Sequence, residues 1–117
     1  IVEVAVAKYA RDLASGFIAE TSEKLRRLPR YYAALLGDGD FPVNACTAPW
    51  FSAVIEPDGA VRPCFFQPAF GNVQEAPLDD VLGSRAAVDF RRKLDVRTDP
   101  ICRRCVCSLN VGLRTVV

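Results

Sequence analysis

Five cysteines, Cys46, Cys64, Cys102, Cys105 and Cys107, stand in a chain of 117 residues that contains no histidine, and no other feature constrains the fold as much. Without imidazole the chain lacks the usual group for acid–base work near neutral pH and the commonest nitrogen ligand for metals. Any metal it holds takes sulfur or oxygen. Five thiols cannot all pair internally, and in a reducing compartment cysteines at ligand-like spacing read as a metal site rather than a disulfide framework. Cys102 and Cys105 have two residues between them, the spacing at which one tight turn presents both sulfurs to a single centre.

The sequence around Cys46 and Cys64 supplies a second pair. Phe51 to Glu56 and Ala60 to Phe66 are rich in strand-forming residues, and Pro57-Asp58-Gly59 between them is a turn of a φ-locked proline, a turn-favouring aspartate and a permissive glycine. A β-hairpin is expected. Cys46 precedes its first strand and Cys64 lies near the end of the second, so antiparallel pairing carries both to one end although 17 residues separate them. With Cys102 and Cys105 they complete a four-sulfur set.

Upstream, Val2, Val6, Tyr9, Leu13 and Phe17 recur at helical spacing, which predicts an amphipathic helix from Val2 to about Phe17. A second helix follows, with Thr21 or Ser22 as N-cap and Leu25 and Leu28 inward. Pro29 is expected to kink or restart it, with further turns from Arg30 to Leu36 closed by Gly37. After the hairpin, Pro68 to Gly71 reads as an irregular connection. Pro77 opens a short helix from Leu78 to Leu82, and Ser84 N-caps another from Arg85 to about Leu94, with Val88 and Leu94 toward the core and Phe90 at its side. Asp99-Pro100 is expected to break the chain just before the last cysteines. The fold class is therefore α+β: N-terminal helices, then a small β-hairpin metal-binding module with short helices and a C-terminal CxxCxC loop. Residues 1–40 form the helical lead-in and 41–117 the module.

Composition limits the functions open to such a chain. Half of its residues are hydrophobic and a quarter charged, as in ordinary globular proteins. Fifteen basic residues against fourteen acidic ones leave no field for a nucleic acid or an anionic membrane. The run Leu25 to Arg30 holds only three arginines and reads as a solvated helix face. No apolar stretch approaches the roughly 20 residues of a bilayer span, and no signal peptide is evident, so a cytoplasmic location is expected. Asp79-Asp80 opens a helix and Asp38 and Asp40 fill a loop, so neither pair is assigned to catalysis. Lys8 and Tyr9 have only a structural reading.

Thiolates suit zinc as well as iron–sulfur clusters, and the residue types by themselves do not choose between them. Small buried cysteines, or a redox dithiol at Cys102 and Cys105, are the competing readings. The dithiol leaves Cys46 and Cys64 unexplained. Trp50, Phe51, Phe65, Phe66 and Phe70 crowd the neighbourhood of Cys46 and Cys64; packing in the hairpin core is the first expectation for them, and an apolar shell around the metal is compatible with it. Arg103 and Arg104, inside the CxxC turn, either offset negative charge or are simply solvated.

The stretch CTAPWFSAVIEPDGAVRPCFF, followed by GNV, a helix containing FRRKL, and PICRRCVCSL, resembles the C-terminal auxiliary-cluster region of radical S-adenosylmethionine (radical SAM) enzymes, the SPASM and shorter twitch domains. The resemblance runs from about Ala45 to Leu109 and includes the four residues between the turn glycine, Gly59, and Cys64. It implies one auxiliary [4Fe-4S] cluster held by Cys46 and Cys64 from the hairpin and by Cys102 and Cys105. Full SPASM domains carry more cysteines and usually two clusters, so the twitch arrangement is the nearer one. Cys107 has no secure counterpart and is left as a ligand in place of Cys105, a reserve thiol or a structural residue. Zinc remains the alternative, or an adventitious occupant.

The CxxxCxxC signature of the radical-generating cluster is absent from the sequence. The resemblance therefore implies an accessory part, with SAM bound only in a catalytic barrel of the same parent chain, electron relay or substrate positioning as its role, and a peptide or small molecule as substrate. The start at Ile1, in a chain without methionine, fits a piece of a longer protein. The helical lead-in would then be the end of that barrel or the linker from it, with its inner face unusually exposed.

Overall fold

The computed structural model describes residues 1–107 and 109, and the chain divides between Pro42 and Val43 into two units. In the first unit the expected long helix is two shorter ones, α1 (Val2–Lys8) and α2 (Ala10–Ala14), interrupted at Tyr9. The longest helix, α3 (Ser22–Leu35), begins where the Thr21 hydroxyl accepts a hydrogen bond from the Lys24 N–H at 3.2 Å, satisfying one of the orphan donors of a first turn.

Pro29 lies inside α3, which runs on through it without the restart that was one expectation. Proline forfeits one backbone bond, but flanking turns and packing hold the helix through it. The helix ends at Gly37, whose φ of 83° is open to glycine. Its N–H donates to the Ala34 carbonyl at 3.1 Å and that of Asp38 to Ala33 at 2.9 Å, a Schellman closure. Helix α1 lies against α3, with the Arg26 guanidinium paired to the Glu3 carboxylate at 3.0 Å. Arginine at this point of the basic run thus serves a helix–helix contact. The expected exposure of the α1–α2 inner face holds for Tyr9 (43%) and Phe17 (85%) but not for Val6, which is buried.

The second unit opens with a helical turn, α4 (Ala48–Phe51), where extended chain was expected at Phe51. Pro49, at the first positions of that turn, suits a helix start, where its missing N–H costs nothing. Strands β1 (Val54–Ile55) and β2 (Ala60–Arg62) then pair antiparallel, Val54 opposite Arg62 and Ile55 opposite Val61. The hairpin is as expected but shorter. Pro63 has no N–H with which to extend β2, so Cys64, Phe65 and Phe66 lie beyond the strand.

The connection expected from Pro68 is irregular through Phe70, and a third strand, not expected, begins at its last residue, Gly71. Strand β3 (Gly71–Asn72) lies antiparallel on the far side of β2, so the sheet order is β1-β2-β3. Two contacts fix it. Gly59, at φ 84°, brings its backbone against the Asn72 side chain, where a Cβ would collide. At Gly71 a Cβ would come within 2.5 Å of Val81 Cγ1, so the glycine lets β3 lie against α5 (Leu78–Gly83).

Ser84 then caps α6 (Arg85–Lys93), accepting from the Ala87 N–H at 3.2 Å, as the sequence predicts. Pro77 is the cap of α5 rather than its first helical residue. The fully buried centre of this unit is Val61, Pro63 and Ala87, with Val81 nearly so. Val88 and Leu94, expected inward, are only half-buried.

Candidate metal centre

Asp99-Pro100 begins a helical turn instead of breaking the chain. Its aspartate is the N-cap and its proline the first residue of α7 (Pro100–Arg103), so Cys102 lies on a helix where a loop was expected. The reason is local: Asp99 Oδ1 accepts the Cys102 N–H at 2.8 Å, and proline at the first helical position has a suitable φ. After one turn the Cys105 N–H reaches the Cys102 carbonyl at 3.2 Å. The backbone thus folds the two cysteines of the CxxC into one tight unit.

Asn44 joins that unit to the segment carrying Cys46. Its side-chain amide, 7% exposed, donates to the Cys102 carbonyl at 2.7 Å and to the Cys105 carbonyl at 2.8 Å. Next to Cys46, the Thr47 N–H and hydroxyl both reach the Leu109 carbonyl, at 2.6 and 3.2 Å. These bonds bring Cys46 to the CxxC turn. The hairpin alone does not, because α4 intervenes between Cys46 and β1.

Gln67, 2% exposed, ties the loop after Cys64 to the same place. Its amide nitrogen donates to Asp99 Oδ1 at 2.9 Å and lies 3.4 Å from the Cys102 sulfur. Its backbone carbonyl accepts from Arg62 Nη1 at 3.1 Å, a bond that closes over Pro63 and Cys64. Neither Asn44 nor Gln67 is visible as a site residue in the sequence. Each is a single amide without a motif, and the one available signal is a polar side chain two or three positions from a cysteine.

Burial dominates the electrostatics of the CxxC thiols. Burial pushes the Cys102 thiol up to about 12, with the Gln67 hydrogen bond opposing and Asp99 and Cys64 adding to the rise. Cys105 is pushed up to about 11, first by burial, with repulsion from Cys107, Cys64 and Cys46 adding and a backbone hydrogen bond from Cys107 opposing. Cys64 therefore acts on both members of the CxxC, and Cys46 on Cys105. Asp99 moves the other way: burial opposes its charge, but the Cys102 N–H, the Gln67 amide, the Cys102 thiol and the Ile101 N–H outweigh it and lower its pKa.

Cys107 stands apart. It is exposed, and it offers its backbone carbonyl to the Cys105 thiol at 2.7 Å. Among the described residues no group of three or more His, Cys, Asp or Glu side chains is drawn together around a single ion. The aromatic residues are not hairpin core, contrary to expectation: Trp50 (44%), Phe51 (49%), Phe65 (71%) and Phe66 (47%) are exposed. The short strands leave them in the turn and loop that carry Cys46 and Cys64, outside the sheet. Phe70 packs on Phe90, ring centres 6.5 Å apart, with the Arg91 guanidinium 6.0 Å from its ring. Arg103 and Arg104 are exposed, as are Asp79 and Asp80 in the first turn of α5.

In this small α+β unit the segments that carry Cys46 and Cys64 are tied to the CxxC turn by the buried amides of Asn44 and Gln67. The chain belongs to the SPASM family of iron-sulfur cluster-binding domains, whose model matches residues 46–106, just over half of the 117 residues. Cys46, Cys64, Cys102 and Cys105 lie within the match and Cys107 one residue beyond it. No curated protein and no solved structure matches the chain. An all-sulfur donor set with a side-chain N–H directed at one of the sulfurs suits an iron–sulfur cluster, whose thiolate ligands accept such bonds.

Proposed function

We propose that this chain is an auxiliary [4Fe-4S] domain of a radical SAM enzyme, with Cys46, Cys64, Cys102 and Cys105 as the ligands of one cluster. The observation that carries the reading is that, inside and beside the family-matched stretch, the buried amides of Asn44 and Gln67 tie the segments of Cys46 and Cys64 to the CxxC turn. Buried thiols that resist ionisation become thiolates readily beside iron, whose positive charge offsets what burial costs. When bound, such a cluster supplies one-electron transfer to or from a substrate radical.

This chain's own residues hold and shield that centre. Asn44 fixes the CxxC turn, Asp99 starts its helix, and the loop after Cys64 is held by Arg62. Four cysteine ligands suit electron relay; three would leave an iron open to position substrate. A single cluster fits the twitch arrangement. In this reading the catalytic barrel belongs to the same parent chain and binds SAM, the substrate is a peptide or small molecule, and the compartment is a reducing cytoplasm. Among the described residues no helix is long and apolar enough to cross a membrane.

Anaerobic reconstitution with iron and sulfide, followed by iron and sulfide analysis and electron paramagnetic resonance after reduction, tests the reading. About four irons and four sulfides per chain, the composition of a [4Fe-4S] cluster, with a reduced-cluster signal, are expected. Colourless protein holding one zinc and no sulfide overturns it in favour of a structural zinc module. Cys107→Ala is expected to leave the cluster intact.

A further inference from the structure

We infer that Gln67 is a positioning residue that raises the reduction potential of the cluster by hydrogen-bonding the ligand sulfur of Cys102. The inference rests on the cluster reading above and adds to it a determinant that lies outside the ligands. A side chain 2% exposed needs partners for both amide protons. One goes to Asp99 Oδ1 at 2.9 Å and the other points at Cys102 Sγ, 3.4 Å away. A carboxylate and a thiolate are both acceptors, so the nitrogen rather than the oxygen of the amide must face them.

The side chain is fixed at both ends. Asp99 cannot turn away without giving up the Cys102 N–H that it caps at 2.8 Å, and the Gln67 backbone carbonyl is held by Arg62 Nη1 at 3.1 Å. The amide therefore bridges the loop after one proposed ligand, Cys64, and the sulfur of another, Cys102.

One-electron reduction adds a unit of negative charge to the cluster and its thiolates, with the electron coming from a low-potential donor and no bond formed or broken. An N–H directed at a ligand sulfur stabilises that added charge and so raises the potential. Asp99 beside the same sulfur acts in the opposite direction. Gln67 engages the carboxylate with one proton while offering the other to sulfur, and so limits the effect of the acid that orients it.

The test is a redox titration of the reconstituted full chain with dithionite as donor, followed by electron paramagnetic resonance. Gln67→Met removes both donors at similar size, and Gln67→Glu substitutes an acceptor at the same shape. Both are expected to load the cluster and to titrate at a more negative potential than wild type, while Gln74→Met, at an exposed position, titrates with wild type. Full loading with unchanged potentials in both Gln67 variants overturns the inference. Should neither variant load, wild-type protein labelled with side-chain 15N-glutamine decides it: a weak 15N coupling to the reduced cluster that persists in Gln74→Met is expected, and its absence overturns the inference. A wild-type chain that takes up no iron and sulfide overturns the cluster reading itself, and this inference with it.

Discussion

The amide of Asn44 donates to the backbone carbonyl of Cys102 at 2.7 Å across 58 positions of sequence, and with its other proton to Cys105 at 2.8 Å. One buried side chain therefore holds both ends of the CxxC turn, independently of any metal. The four proposed ligands come from three segments, and this bond is one of the few that join them before a cluster does.

Asn44→Ala leaves two carbonyls of the CxxC turn without that partner. Removing a buried hydrogen-bond partner typically costs about 1–3 kcal/mol. Denaturant unfolding of the metal-free chain is expected to shift by that order, and the reconstituted chain to lose iron to a chelator faster than wild type. Unchanged unfolding and iron release would show the bonds to be incidental.

Metal-free protein is expected to lose stability above about pH 9. The folded thiols of Cys102 and Cys105 titrate at about 12 and 11, against 9.0 ordinarily. A group whose folded pKa is raised contributes its full stability below the unfolded value and loses it as pH rises toward the folded one. The denaturant midpoint of the metal-free chain should therefore fall between pH 8 and pH 10. At pH 8, exposed Cys107 should be alkylated before buried Cys102, as peptide mass mapping would record.

Gly59→Ala is expected to destabilise the sheet. At φ 84° an L-residue is strained, and its Cβ would meet the Asn72 side chain; positive φ alone costs about 1–2 kcal/mol for a non-glycine residue. Asn72→Ala in the same chain relieves the collision but not the dihedral. The double variant should therefore recover part of the loss in thermal or denaturant unfolding, and full recovery would show the dihedral to be unimportant.

Ligand variants should divide sharply. Cys46→Ser, Cys64→Ser, Cys102→Ser and Cys105→Ser are each expected to lower iron and sulfide content after anaerobic reconstitution, whereas Cys107→Ser retains wild-type content. A Cys107→Ser chain with the cluster lost, beside a Cys105→Ser chain that keeps it, would exchange the two assignments.

Much of the fold is legible in the sequence because it is local. Thr21 and Ser84 cap helices, Gly37 and Gly59 take positive φ, and Pro57-Asp58-Gly59 turns the hairpin, each through a choice made within a few residues. Local reading fails where neighbours alter the outcome. Pro29 lies inside α3, Phe51 ends a helical turn, and β3 forms because Gly71 can lie against Val81 and pair with Val61. Strand pairing of this kind is a relation between distant segments and leaves no periodicity in a strand of two residues.

The same division runs through the metal centre. The sequence by itself determined the donor chemistry: five thiols, no imidazole and a CxxC, with four residues between a turn glycine and Cys64. Only the tertiary structure decided how the thiols are held. Asn44 and Gln67 are ordinary amides in the sequence and become braces because folding buries them beside backbone carbonyls, a carboxylate and a sulfur. Ligand identity follows from side-chain chemistry, which each residue carries alone. The satisfaction of buried polar groups is a property of pairs, and it exists only once the chain has brought the partners together.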